Sequence, residues 1–113
     1  MDANMLRGHL DLILLSCLQR EPLYGLRIIQ TVQEQTGGAF QFKEGTLYPA
    51  LHRLEKQGLI GSEFRPSDAG GPPRRYYTLT LAGGRSLSQK QSEWQAFSRA
   101  MRPFGGLSLL RPA

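Results

Sequence analysis

The chain has 113 residues, with 14 Lys and Arg against 9 Asp and Glu for a net charge of +5, and 40% of its residues are apolar. A chain this long buries roughly two thirds of its unfolded surface, enough for one core but not for a deep cleft between two lobes, so large multi-domain enzymes are excluded. The single cysteine, Cys17, has no intrachain partner, and with only His9 and His52 beside it no cluster has zinc-ligand spacing; no disulfide, metal or cofactor is expected. No stretch approaches the ~18 apolar residues of a membrane span, since Leu12-Ile13-Leu14-Leu15 is flanked by Asp11 and Ser16. The N-terminus lacks the order of a secretory signal, and the expectation is a soluble, cytoplasmic protein without a membrane partner. Of the 14 basic residues 11 are Arg, whose planar fork suits phosphates and guanine edges.

In chain order, residues 6 to 20 predict a first helix. Leu6, Leu10, Ile13, Leu14, Cys17 and Leu18 form its stripe, while Leu12 and Leu15 lie off it and invite a partner chain. Glu21-Pro22 stops that helix. A second helix is expected from Leu23 to Thr36, with Tyr24, Ile28, Ile29 and Val32 inward and Gly37-Gly38 as a left-handed exit. After a loop anchored by Phe40 and Phe42, a third helix runs from Gly45 to Gln57. Leu47, Leu51 and Leu54 occupy one face, Pro49 is read as first-turn, and Gly58 is the stop.

Two short strands follow, one through Ser62, Glu63 and Phe64 and one from Arg75 to Thr80 with Tyr77 and Leu79 on one face. The Pro66–Pro73 stretch between them reads as a turn or flexible tip. Thr80 fits as the N-cap of a fourth helix over 81–102, on which Leu87, Trp94 and Met101 recur every seven residues with Phe97 between. Residues 103–113, rich in Gly and Pro, read as a flexible tail. The fold class is therefore mainly α with a small β-hairpin: a winged helix-turn-helix over residues 5–80, followed by a long C-terminal dimerisation helix over 81–102.

In that fold the third helix needs an apolar side to hold it and a polar side to reach a major groove. Thr46, Tyr48, Pro49, His52, Arg53 and Lys56 supply the polar side, preceded by Lys43, and Arg65, Arg74 and Arg75 lie on the hairpin that would meet a minor groove. Double-stranded DNA is the expected partner. Leu6, Leu12, Leu15, Leu87, Trp94, Phe97 and Met101 are the expected dimerisation residues, because a helix extending past so small a core has little but a second copy to pack on. Two recognition helices about 34 Å apart would read a palindromic site. Leu12, Leu15, Trp94 and Phe97 could also hold a planar aromatic molecule at the seam. Cys17 reads as a small buried hydrophobe rather than a redox sensor, and His9 as a surface or interface histidine. Nothing resembles a nucleophile-base pair, paired catalytic carboxylates or a phosphate-cradling Gly loop, so no enzyme is expected. A winged helix that binds proteins and has lost DNA binding is the alternative.

The segment Phe42-Lys43-Glu44-Gly45-Thr46-Leu47-Tyr48-Pro49-Ala50-Leu51-His52-Arg53-Leu54-Glu55-Lys56-Gln57-Gly58-Leu59-Ile60 resembles the recognition-helix signature of the PadR family of transcriptional regulators. Leu23-Tyr24-Gly25, and Arg74-Arg75-Tyr76-Tyr77-Thr78-Leu79-Thr80 with Gly83 or Gly84 after it, extend the resemblance over residues 5 to 101. It implies a homodimeric DNA-binding repressor of the short subgroup with a single C-terminal helix, which packs on the partner's first helix. In some members a flat aromatic effector binds at that seam beside a tryptophan placed as Trp94 is. Where many members carry Ser or another small cap before the recognition helix, this chain has Lys43-Glu44.

Overall fold

The computed structural model describes residues 9–105. Helix α1 (Leu10–Cys17) leads through strand β1 (Leu23–Tyr24) to helices α2 (Gly25–Gln35) and α3 (Glu44–Lys56). Strands β2 (Ile60–Ser67) and β3 (Gly71–Leu79) form the wing, helix α4 (Leu81–Ala100) follows, and Arg102–Phe104 make one 3-10 turn. The three strands form an antiparallel sheet in the order β1-β3-β2. This is the winged helix-turn-helix expected from the sequence, with one strand added. Strand β1 replaces the expected first turn of the second helix, because Leu23 and Tyr24 pair with Tyr77 and Tyr76 of β3. Two residues are too few to show a strand period, and their partners lie some fifty positions away in the chain. Leu6 and residues 106–113 lie outside the described residues.

One continuous core joins α1, the inner sides of α2 and α3, the base of the sheet and the start of α4. Two residues expected at a dimer seam belong to it: Leu15 is fully buried and Leu87 nearly so. The reason is the rotation of α1, which places Leu10, Leu14, Leu15 and Leu18 together inward and leaves Leu12, Ile13 and Cys17 half-buried. Burying each such leucine contributes about 1.5–3 kcal/mol, so the rotation that hides the largest number prevails over the stripe with the tidiest spacing. Helix α1 also ends earlier than Glu21-Pro22. Leu18 caps it, and its side chain turns into the core.

Helix α3 begins at Glu44, which puts Pro49 in the second turn rather than the first. The carbonyl that Pro49 cannot serve belongs to Gly45, an exposed residue that water can reach, so the missing donor costs less there than in a buried turn. The Pro66–Pro73 stretch is mostly strand. Arg65 pairs with Arg74 and Ser67 with Gly71, with a bulge between Arg65 and Ser67, and the turn is confined to residues 68–70 with Gly70 at φ 75°. Prolines 72 and 73 are tolerated because β1 reaches only to Tyr76 and Tyr77, so the outer half of β3 has a single neighbour.

Helix α4 starts as expected, with the Thr80 hydroxyl accepting the Gly83 amide at 3.0 Å. Gly83 is buried against Leu59, and a Cβ there would overlap the Leu59 carbonyl oxygen, whereas a Cβ on Gly84 would meet open space. Only the first half of α4 joins the core; the second half runs outward, and the molecule measures 52 × 29 × 21 Å.

Two expectations follow. Gly83→Ala should lower stability by about 1–3 kcal/mol or more through overlap with backbone, while Gly84→Ala should raise it by about 0.5–1 kcal/mol through helix propensity; thermal unfolding of the pair reads both signs. Burial pushes the Cys17 thiol up to about 11, so at pH 8 only about one molecule in a thousand carries the thiolate. Alkylation of the native protein at pH 8 should be slow and should accelerate sharply in denaturant.

Candidate nucleic-acid interface and helix seam

Helix α3 is held by Leu47, Ala50, Leu51 and Leu54, all buried. At about 100° per residue, the side opposite them carries Gly45, Pro49, His52 and Lys56, all of them exposed. The remaining expected contact residues lie on the two flanks. Tyr48, 42% exposed, lies over Gly25 at the start of α2, where a Cβ would overlap its hydroxyl. The absence of a side chain at Gly25 thus seats the tyrosine and lets the two helices of the motif approach. Thr46 and Arg53 are on the other flank, toward α1, and both are exposed.

Arg53 is not directed outward. Its two terminal nitrogens close on the Asp11 carboxylate at 2.5 and 3.1 Å, and that hydrogen-bonded carboxylate holds the guanidinium above its ordinary pKa. The pair ties α3 to α1; with both side chains partly exposed, a contribution of about 0.5–1 kcal/mol is reasonable. Lys43 is the exposed N-cap residue of α3, and no side chain caps this end; the Thr46 and Leu47 amides both donate to the Lys43 carbonyl at 3.0 Å, and Glu44 beside them is exposed.

The three wing arginines are held on two faces. Arg65 and Arg74 share one face: Arg65 lies 5.1 Å from the Tyr76 ring and bonds Glu63 at 2.6–2.7 Å, and Arg74 lies 4.3 Å from the Tyr24 ring. Tyr24 and Tyr76 meet edge to face at 5.4 Å. Arg75 is on the other face, 5.4 Å from the ring of Phe64. The sequence puts Tyr24 inward on a helix and Phe64 on a strand but does not announce Tyr24, Phe64 and Tyr76 as the rings under the arginines. Strand alternation around the arginines places them, but only once the register is known.

Helices α1 and α4 border an open cleft of about 570 Å³ lined by His9, Asp11, Leu12, Arg53, Lys90, Glu93, Trp94 and Phe97, which Arg53 joins to a flank of α3. Trp94 and Phe97 stack at 6.0 Å, and His9 sits edge-on to Trp94 at 5.3 Å. Three of the four expected effector residues, Leu12, Trp94 and Phe97, meet here; the fourth, Leu15, does not, since it is internal. Trp94 and Phe97 remain 37% and 53% exposed, and Met101, near the end of the same stripe, is half-buried. The cleft is also lined by the charged residues Asp11, Arg53, Lys90 and Glu93. Their convergence needs three helices and has no sequence spacing to announce it. No helix among the described residues is long and apolar enough to cross a membrane.

Comparison with known proteins agrees with this architecture. A protein of Lysinibacillus sphaericus is 38% identical over 92 residues, covering 81% of this chain and 84% of that one. The structure of a transcriptional regulator from Clostridium thermocellum superposes with a TM-score of 0.80 at 33% identity, over 90% of this chain and 98% of the other. Bacillus subtilis PadR, whose structure was solved in complex with operator DNA, superposes with a TM-score of 0.66 at 26% identity, over 73% of this chain and 45% of its own length. The profile of the transcriptional regulator PadR-like family matches residues 14–89. With its signature helix, its wing and its fold all in agreement with that match, the chain belongs to the PadR-like family, a family of transcriptional regulators rather than of enzymes.

Proposed function

We propose that this regulator binds double-stranded DNA as a homodimer and acts as a repressor at a palindromic operator. The observation that carries the reading is the pairing of two surfaces: the exposed side of α3 with Pro49, His52 and Lys56, and an arginine-bearing wing joined to the same helix by β2. Helix and wing fit adjacent grooves. The operator-bound state of Bacillus subtilis PadR supports the same use of the fold. Of the expected contact residues, Lys43, Thr46, Pro49, His52, Lys56 and Arg75 are exposed as they stand, and Tyr48 is partly so. Arg65 and Arg74 would reach a phosphate by leaving, or by sharing, their tyrosine and glutamate partners. Arg53 would first have to release Asp11.

The dimer reading rests on the outward half of α4. Trp94 and Phe97, with Leu12 across the same cleft, form a partly exposed apolar patch, and a second copy laid across it would roof the cleft. Two aromatic rings beside His9, with charged groups at the edge, suit a planar aromatic effector. Such a molecule would alter DNA affinity only as far as it binds the two dimer states differently.

Selection of duplexes from a random pool, followed by anisotropy titration of the best one at several salt concentrations, tests the reading. Tight, salt-steep binding at one dimer per palindrome is expected; weak binding to every sequence would favour the protein-docking alternative. Arg75→Ala and Lys56→Ala should each weaken binding and lower the slope of log K against log salt by about one. Emission of Trp94, the only tryptophan in the chain, should change when a planar aromatic compound fills the cleft, and Phe97→Ala should reduce that compound's affinity. An effector whose binding ignores both residues lies elsewhere.

A further inference from the structure

The wing and the recognition helix are joined by a short polar chain that DNA contact alone does not require. Glu55 lies on the wing-side flank of α3, and its Oε2 is 2.6 Å from the Ser62 hydroxyl on β2. Arg75 Nε on β3 lies 3.0 Å from the same hydroxyl. The direction of each bond is fixed by chemistry. An ionised carboxylate only accepts and a guanidinium only donates, so Ser62 gives its proton to Glu55 and accepts Arg75 Nε–H on a lone pair. A cation and an anion at the two ends polarise the hydroxyl in the same sense, which strengthens both bonds.

The consequence concerns what is left of Arg75. With Nε–H committed to Ser62 and the guanidinium lying against Phe64 at 5.4 Å, its two terminal nitrogens have no protein partner among the described residues, and the side chain is exposed. Arg65, by contrast, has a terminal nitrogen on Glu63 as well as its Nε–H. Arg74 also has no hydrogen-bond partner among the described residues, but only its ring contact with Tyr24 holds it; Arg75 is the wing arginine whose guanidinium is fixed by a hydrogen bond while its forked edge stays open. Its support comes from β2 and, through Ser62, from α3 itself.

We propose that Glu55 and Ser62 are positioning residues for DNA recognition: they fix the wing against the recognition helix and present the terminal nitrogens of Arg75 to the nucleic acid backbone or minor groove. The inference rests on the DNA-binding reading above. A guanidinium ordered before binding loses less freedom on contact than a free one, so the chain of bonds appears as affinity although neither Glu55 nor Ser62 touches DNA. It also makes the angle between wing and helix a property of three side chains from three elements.

The test has two readouts on the whole protein. In the free protein, the Arg75 Nε–H resonance should exchange slowly with water, become fast in Ser62→Ala, and recover in Ser62→Thr, which restores the hydroxyl. With the duplex selected above, Ser62→Ala and Glu55→Ala should each weaken binding roughly fivefold when Arg75 is present, a loss on the scale of one hydrogen bond, and have little effect in an Arg75→Ala background. Ser62→Thr should bind close to wild type. Equal losses with and without Arg75, or an Arg75 Nε–H that exchanges at the same rate in wild type and Ser62→Ala, would overturn the proposal. If the unaltered chain retains no duplex at all, the DNA-binding reading fails first and the positioning role falls with it; if it binds but the losses are additive, the positioning role alone fails.

Discussion

Burial of Leu47, Ala50, Leu51 and Leu54 on one side of α3 is the constraint on which the rest of the molecule depends. These residues fix the rotation of the helix about its own axis, and with 3.6 residues per turn that rotation decides which side chains face solvent. A turn of about 100° would put Tyr48 and Glu55 in the place of Leu47 and Leu54 and strand the leucines in water, at a cost of several kcal/mol. Because the core holds α3 so firmly, its outer side needs no further support and is free to be polar. The flanks then take up structural work: Tyr48 on Gly25, Arg53 on Asp11, Glu55 toward Ser62.

The wing solves a different problem. A two-stranded ribbon projecting from a small sheet buries little, and its outer half has no third strand to stiffen it. Here the stiffening comes from guanidinium groups laid against aromatic rings, Arg74 on Tyr24, Arg65 on Tyr76 and Arg75 on Phe64. Each such contact contributes about 0.5–1 kcal/mol at an exposed site. The residues that give the wing its positive charge are thus also the ones that order it. Helix α4 divides its labour along its length: Gly83 and Leu87 anchor its start, and Trp94 and Phe97 leave its outer half with apolar surface still to cover.

Much of this was legible in the sequence, and for definite reasons. The leucine spacing of α3, the Thr80 cap, the glycine exits at Gly37-Gly38 and the signature from Phe42 to Ile60 are local patterns, with their physical cause within a turn or two of the chain. Where the reading failed, the deciding partner was distant. Leu12 and Leu15 both lie off the periodic stripe of α1, and spacing cannot say which of them the neighbouring elements will cover; the packed helix buries Leu15. Leu87 fits a heptad with Trp94 and Met101, yet Leu87 enters the core while Trp94 and Met101 stay partly exposed. Prolines 66, 72 and 73 read as a loop because the sequence does not reveal that the outer part of β3 has only one neighbour.

The sequence by itself determined the class of fold, the helix that carries the polar surface, the basic character of the wing and the family. The first three follow from composition and from patterns close along the chain, and the family from the resemblance of the Phe42–Ile60 segment to its signature. Tertiary structure alone decided which polar residues are presented and which are spoken for. Arg53 and Arg75 are the same residue type on neighbouring exposed elements; one has its terminal nitrogens closed on a carboxylate from α1, and the other keeps them open because a serine takes its Nε–H instead. That difference rests on partners 42 and 13 residues away. Hydrogen bonds are satisfied by proximity in space, which the chain acquires only on folding.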